Sequence, residues 1–337
     1  MAVEIVPFTE RFLDDAAVLL AERHRRDRAY TPALSERFAT ADGAAAVLAA
    51  ARRQPNAYGV AALRAGRLAG FLVGATDYAP VWGRSAWMRY GSHALAPTED
   101  ADLYRDLYAA IAPHWLRLGC FAQYVEMPTG DRAGLDAWFA LSFGQQQAYA
   151  LRTLAEPAAD PPHVVPPITI RRAGPEDLDT MVAMQRIVFD HLGQTPVLSV
   201  RLPEGGDAWP AAYAQMLADP QSAVWLAEEP MSGTALGTIV IQPLPAEDDA
   251  PDVPEHCCYL ALAATLPAAR GRGISRALVA RALGEARASG YACCFTDWRT
   301  TNLPSSRLWP RLGFRPLYYR LHRLIDDRIA WAPGLDR

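Results

Sequence analysis

The chain has 337 residues, of which 51% are hydrophobic and 21% charged, and its formal net charge is −4. This length is typical of two globular domains, and the charge gives no electrostatic basis for binding nucleic acid or an anionic membrane. No apolar stretch approaches the ~20 residues that span a bilayer, and the N-terminal residues have no targeting pattern. We therefore expect a cytoplasmic protein with neither nucleic acid nor membrane as a partner.

A proline-rich stretch divides the sequence near its middle. It contains five prolines, which disfavour a helix or a central strand and predict a semi-rigid linker. The flanking halves repeat each other, because Leu13 recurs as Leu178 after 165 residues and Trp138 recurs as Trp309 after 171 residues. These offsets predict two copies of one fold. The predicted boundaries are 1–154 for the first domain, 155–167 for the linker and 168–337 for the second domain.

In the second half, strand and helix patterns follow one another in the order β-α-α-β-β-β-α-β-α-β. The predicted strands are residues 167–172, 224–227, 235–241, 257–265, 291–296 and 314–324. The predicted helices are residues 176–190, 209–217, 274–289 and 305–312. This order predicts a mixed α/β fold, in which each of the two tandem domains has a mixed, mostly antiparallel sheet flanked by helices.

The cysteines are odd in number, which argues against a disulfide framework. Two adjacent pairs among them lack the spacing of zinc ligands, so no metal site is predicted. Their strand-like neighbours indicate small buried residues, with a metal site as the alternative. The cysteines are Cys120, Cys257, Cys258, Cys293 and Cys294.

A glycine-rich loop joins the predicted strand 257–265 to the predicted helix 274–289. Its glycines allow a ligand to approach the backbone closely, and the amides and dipole of a helix N-terminus attract phosphate. Two arginines add positive charge. The pattern predicts a diphosphate-binding loop, although a plain strand-to-helix turn is the alternative. The loop residues are Arg270, Gly271, Arg272, Gly273, Ile274 and Ser275.

The motifs around this loop resemble those of the GNAT superfamily of N-acyltransferases. Pro267 lies three residues before Arg270, Asn302 follows the next strand, and the sequence Leu-Gly-Phe at 312–314 begins ten residues after Asn302. The resemblance covers residues 168 to about 325, and the repeated halves resemble the tandem-domain members of the superfamily.

This resemblance implies an acyl-CoA cofactor, most simply acetyl-CoA, whose diphosphate binds to the loop. It further implies that Ala264 and Thr265 pair with the pantetheine arm and that Asn302 bonds to that arm. Ser275 replaces the usual Gly or Ala, and its hydroxyl is a candidate phosphate ligand. Trp309 replaces the tyrosine that, in many members, protonates the leaving thiolate.

The first half lacks the equivalent loop. Aligned on Pro97 and Pro267, residues 98–103 contain three carboxylates and a leucine in place of the arginines and glycines. Carboxylates near a diphosphate repel it. We therefore expect this half to support the other or to shape the acceptor pocket, with a relic domain as the alternative.

Four residues are candidates for moving protons or for positioning the acceptor amine. Tyr259 occupies the position where some GNAT members have a glutamate base, and Tyr319 is a candidate for the acid that Trp309 cannot supply. His256 could relay a proton through water, and Asp297 could order an acceptor amine. Core packing, exposed strand ends or a turn cap are the structural alternatives for these four residues.

The expected reaction is the direct transfer of acetyl from acetyl-CoA, or another acyl-CoA, to a primary amine of a small molecule or peptide. The region 191–209 is expected to border the acceptor site, and the protein is expected to be a monomer or a homodimer. Two other functions stay open, namely a non-catalytic acyl-CoA-binding module and an acyl-thioester decarboxylase.

Overall fold

The computed structural model describes residues 3–155, 167–202, 209–245, 247 and 249–331. Most of the predicted linker, at 156–166, lies outside the described residues. The chain forms two compact units, which differ from the two halves of the sequence because one unit takes three separate segments. Unit 1 consists of Met1–Tyr149, Ala246–Pro254 and Pro316–Arg337, and unit 2 consists of Ala150–Pro245 and Glu255–Arg315.

Unit 1 is built on a mixed sheet flanked by helices. Its strands are β1 (Glu4–Pro7), β2 (Tyr58–Arg64), β3 (Arg67–Asp77), β4 (Ser85–Met88), β5 (His93–Leu95), β6 (Ala122–Pro128), the start of β7 (Gly144–Thr153) and nearly all of β13 (Arg315–Leu324). The order is β1-β2-β3-β4-β6-β13, with β5 paired to β3. Strand β4 is parallel to β6, and β13 is antiparallel to β6. The helices are α1 (Leu13–Tyr30), α2 (Ala41–Arg53), α3 (Leu103–Arg117) and α4 (Arg132–Ala140).

Alternating side chains of β3 enter two cores in unit 1, one on each face of the sheet. Leu72 joins the core formed with α3 and α4, whereas Phe71 and Val73 join the core formed with α1 and α2. This alternation follows from the two-residue period of a strand. Gly74 is required by close packing, because a Cβ there would lie 2.4 Å from the Trp115 ring.

Unit 2 has the strand order β12-β11-β10-β9-β8, with β7 next to β12. The strands are β8 (Thr169–Arg172), β9 (Ala223–Glu228), β10 (Ala235–Leu244), β11 (Cys257–Thr265) and β12 (Cys293–Arg299). Strands β11 and β12 are parallel, and the β8–β9, β9–β10 and β10–β11 pairs are antiparallel. The helices are α5 (Leu178–Gly193), α6 (Trp209–Ala218), α7 (Ile274–Ala288) and α8 (Leu303–Arg311).

The mixed α/β fold class predicted from the sequence is confirmed, and each predicted strand and helix of the second half is present. The predicted strand at 291–296 begins two residues later and continues to Arg299, so Asp297 lies within β12. The five cysteines are free and buried, as predicted. In the part of the chain that the structure describes, no helix is both long and apolar enough to cross a membrane.

Candidate functional site

The loop before α7 has the backbone conformation that its glycines predict. Gly271 and Gly273 have φ values of +78° and +84°, in the left-handed region that favours glycine. Gly273 is the N-cap of α7, and no side chain caps this helix end. The first amides of α7 therefore have no intrahelical acceptor and carry the positive end of the helix dipole.

Arg272 has side-chain hydrogen-bond donors that lack acceptors. Its Nε and Nη2 atoms are buried and have no hydrogen-bond partner among the described residues. Two buried nitrogens of a guanidinium without acceptors are costly, since they have lost their water and gained no bond in return. Arg270, by contrast, is exposed. The unpaired donors of Arg272 and the free helix amides together suit an anion such as the diphosphate of coenzyme A.

The loop is fixed to the end of β11 by contacts of α7. Ile274 is buried, and the hydroxyls of Ser275 and Thr265 lie 2.8 Å apart. The Ser275 hydroxyl, which the sequence offered as a phosphate ligand, therefore bonds to Thr265. A Cβ on Gly237 of β10 would lie 2.8 Å from the Ala264 carbonyl oxygen, so β10 and β11 approach closely where α7 packs on them.

The backbone pairing of strands β11 and β12 ends well before the loop. Their parallel pairing extends from Cys257 opposite Cys293 to Tyr259 opposite Phe295. Beyond these residues a side chain bridges the strands, because Thr296 Oγ1 donates a hydrogen bond to the Leu260 carbonyl oxygen at 3.1 Å. On its other side, β11 has a bulge in its register with β10 at Val240 and Ile241, and bulges bend strands. We call the space between 260–265 and 296–299 the wedge.

Tyr259 and Asp297 meet at the narrow end of the wedge. The Tyr259 hydroxyl donates a hydrogen bond to Asp297 Oδ1, and both side chains are half-buried. Asp297 lies two residues beyond Phe295, the partner of Tyr259 in the ladder. The structure thus brings together a phenol and a carboxylate that sequence reasoning selected independently.

The other two candidate catalytic residues lie elsewhere. His256 is exposed, precedes β11 at the end away from the loop, and its carbonyl oxygen accepts a hydrogen bond from the Ala292 amide at 2.8 Å. Tyr319 belongs to unit 1, where it is opposite Met127 in the sheet and packs against the core of that unit. Tyr259 and Asp297 belong to unit 2, whereas the strand of Tyr319, β13, pairs with β6 in unit 1.

Asn302 and Trp309 lie at the start and near the end of α8. Asn302 is buried, and its Oδ1 lies 3.1 Å from His191 Nε2 at the end of α5. Nothing in the sequence predicts this contact, since 111 residues separate its partners. Trp309 is buried and packs edge-to-face on Phe314, with ring centroids 5.5 Å apart, so it belongs to the core.

The corresponding loop of unit 1 has a different chemistry. Glu99 accepts two hydrogen bonds from Arg64, at 2.9 and 2.7 Å, and these bonds lower the pKa of Glu99. Leu103 is buried in the core of the unit, at the first position of α3. Unit 1 thus has an ionised carboxylate and a leucine where unit 2 has its glycines and Arg272, and this chemistry does not suit a diphosphate.

Comparison with known proteins agrees with the observed fold. Residues 191–314 match the model of the Acetyltransferase (GNAT) family. No curated protein matches the sequence significantly. A GCN5-related N-acetyltransferase from Sphaerobacter thermophilus has a similar structure, with 17% identity, a TM-score of 0.61 and 95% of each chain covered.

Two further solved structures are similar over 95% of this chain. A tandem GNAT protein from the clavulanic acid biosynthesis pathway is 13% identical, with a TM-score of 0.50 and 97% of its own chain covered. A GCN5-related glucosamine N-acetyltransferase region in a fungal multi-domain β-N-acetylglucosaminidase is 14% identical, with a TM-score of 0.53, and only 38% of that chain is covered. At such identities these matches show the fold, and they confirm the predicted GNAT-type architecture.

Proposed function

The chain contains a GNAT acetyltransferase domain at residues 191–314, and from this premise we propose that the protein is an acyl-CoA-dependent N-acyltransferase. It transfers acetyl from acetyl-CoA to a primary amine of a small molecule or peptide. The observation that carries the proposal is the pair of buried, unpaired nitrogens of Arg272, Nε and Nη2, beside the uncapped N-terminus of α7.

The cofactor would be held along β11. Arg272 and the first amides of α7 bind its diphosphate, while the edge of β11 at Ala264 and Thr265 pairs with the pantetheine arm. Six residues separate Thr265 from Tyr259, which is about 20 Å of extended strand at ~3.3 Å per residue. An arm bound along this edge directs the thioester toward the narrow end of the wedge.

The bound cofactor supplies an acyl thioester, whose carbonyl carbon a neutral amine attacks. Asp297 accepts a hydrogen bond from the amine, and the Tyr259 hydroxyl fixes the orientation of the Asp297 carboxylate. Because Trp309 is packed in the core and its indole is no useful acid, the leaving thiolate takes a proton from solvent. A thiol pKa of about 8.5 makes this step feasible without a dedicated acid. The proton that the attacking nitrogen loses passes to solvent in turn.

The test is calorimetry with CoA and acetyl-CoA on the full chain, followed by a thiol-release assay with a panel of amines. Arg272→Ala removes a charged donor to phosphate, worth about 1.5–3 kcal/mol, so its Kd for CoA should rise about 10- to 100-fold. Arg287→Ala is the matched control, because Arg287 is exposed in the last turn of the same helix. Equal CoA affinities of the two variants would refute the assignment of the loop.

The same assays separate the proposed activity from the alternatives. Thiol release that depends on an added amine supports N-acyl transfer. Tight binding of CoA without turnover would instead identify an acyl-CoA-binding module, and carbon dioxide release from malonyl-CoA would identify a decarboxylase. Absence of CoA binding would reject all three functions.

A further inference from the structure

Unit 1 contains a cavity of about 690 Å³ that the proposed acetyl transfer does not use. This volume lies in the range of small-molecule sites. The cavity is next to the point where β4 and β6 cease to pair, after Met88 and Val125. It is therefore the counterpart, within unit 1, of the wedge between β11 and β12. Six of its lining residues carry the argument: Arg89, Tyr90, Glu126, Tyr149, Asp252 and Tyr318.

The charge of the lining is strongly negative. Carboxylates at five positions face one arginine, Arg89, and the five are Asp77, Glu126, Glu247, Asp249 and Asp252. Arg89 is already engaged, because its Nη1 lies 3.1 Å from Glu126 Oε1. The second oxygen of Glu126 accepts a hydrogen bond from the Tyr90 amide at 3.0 Å. Glu126 is thus fully satisfied within the protein.

Asp252 differs from Glu126 in having a neutral partner. Its carboxylate accepts a hydrogen bond from the Tyr318 hydroxyl, and in the described part of the chain no basic side chain forms an ion pair with it. Burial, with Glu126 nearby, raises the pKa of Asp252 to about 6. At neutral pH most of this carboxylate is therefore ionised beside another anion, an arrangement that a bound cation would relieve.

The wall beside Asp252 is aromatic. Tyr318 stacks on Tyr149 with ring centroids 4.5 Å apart, and its centroid lies 5.3 Å from that of Tyr90. A ligand that suits both the negative charge of the lining and this aromatic wall has a positive charge and an apolar body. A metal ion is a poorer match, since no group of three metal-ligating side chains occurs among the described residues. A second CoA is also a poor match, because its phosphates would face five carboxylates.

We propose that the unit 1 cavity binds an organic cation, a protonated or quaternary amine with an apolar body, and that Asp252 is its counter-ion. This inference goes beyond acetyl transfer and does not depend on it. The cation would be an effector, which the enzyme binds and leaves unchanged.

Calorimetry on the full chain, without acetyl-CoA, tests the proposal with three probes of similar shape. Benzylamine and benzyltrimethylammonium carry a positive charge at pH 7.5, and benzyl alcohol does not. Both cations should bind at least tenfold more tightly than the alcohol. Equal affinity for charged and neutral probes, or no binding of either cation, would overturn the proposal, and neither result bears on CoA binding in unit 2.

Asp252→Asn should weaken binding of both cations at least tenfold, whereas Asp252→Glu should retain most of the affinity because it keeps the charge. The matched control is Asp136→Asn, since Asp136 is an exposed carboxylate on α4 of the same unit. Cation affinity that survives in Asp252→Asn would refute the role of Asp252. If Asp252→Asn does not fold, two measurements still test whether the cavity binds cations through Asp252. One compares Asp252→Glu with the parent protein, and the other compares the charged and neutral probes.

Benzyltrimethylammonium, which cannot be acetylated, then tests the effector role in assays with acetyl-CoA and another amine. A change in kcat that is retained in Asp136→Asn and lost in Asp252→Asn supports this role. An unchanged rate despite tight binding would refute it.

Discussion

Replacing Gly271 by alanine separates the backbone conformation of the loop from its contact with a ligand. The φ of Gly271 is +78°, and a Cβ built at this position has no atom within 4 Å. The cost of the substitution therefore comes from the left-handed conformation alone, about 1–2 kcal/mol. Alanine also lowers the conformational entropy of the unfolded chain, which offsets about 0.4–1 kcal/mol of this cost. The net loss of stability is therefore near ~1 kcal/mol.

The chain offers a matched control at the other end of the same helix. Gly290 has a φ of +90° and likewise nothing within 4 Å of its Cβ. Gly290→Ala should thus cost unit 2 the same stability, and both variants should lower Tm by about 2–4 °C for a unit of this size. Differential scanning calorimetry would measure the two shifts side by side.

Binding of CoA should distinguish the two variants. The open space over Gly271 is where the proposed diphosphate lies, so the methyl group of Gly271→Ala should raise the Kd for CoA at least tenfold, whereas Gly290→Ala should leave it unchanged. Isothermal calorimetry on both proteins gives the comparison. If Gly271→Ala binds CoA within twofold of the parent protein, the ligand does not approach the loop backbone, and the reasoning fails.

Two other perturbations test the reacting pair and a buried histidine. Tyr259→Phe should lower kcat at least tenfold with an unchanged Kd for CoA, because it removes the bond to Asp297. Tyr319→Phe should leave kcat unchanged, and equal effects of the two substitutions would contradict the site. Burial, with Arg23 nearby, lowers the pKa of His93 to about 3, below its unfolded value of about 6.5. The unfolded state therefore binds the proton first as pH falls below 6.5. In urea titrations, the free energy of unfolding should decrease by about 2 kcal/mol more in the parent protein than in His93→Gln between pH 7 and 5, and parallel decreases would contradict this.

Local features of the site could be predicted from the sequence. The glycines of the loop and the helix that follows depend on residues adjacent in the chain, and the backbone has the conformation that they favour. The wedge also depends on neighbouring segments, because β11 and β12 are joined by the loop and α7. Tyr259 and Asp297 lie on these two strands, so their alignment was accessible from strand patterns and the family resemblance.

Features that depend on distant pairing were not accessible. An alternating strand pattern predicts that residues 315–324 form a strand but not which strand they pair with, and β13 pairs with β6 rather than completing unit 2. Tyr319 therefore belongs to unit 1, whereas Asp297 belongs to unit 2. Asp252 is in the connection between β10 and β11, which has the composition of an ordinary turn. Only the fold brings it to the Tyr318 hydroxyl.

The pairing of β13 with β6 also has a consequence during translation. Strand β6 is synthesised about 190 residues before β13, which at 5–20 residues per second is on the order of 10–40 s. Throughout this interval the edge of β6 lacks its antiparallel partner, and the core of unit 1 lacks Leu321. A nascent sheet edge left open is a template for intermolecular association, so the growing polypeptide is exposed to such association until β13 has been synthesised.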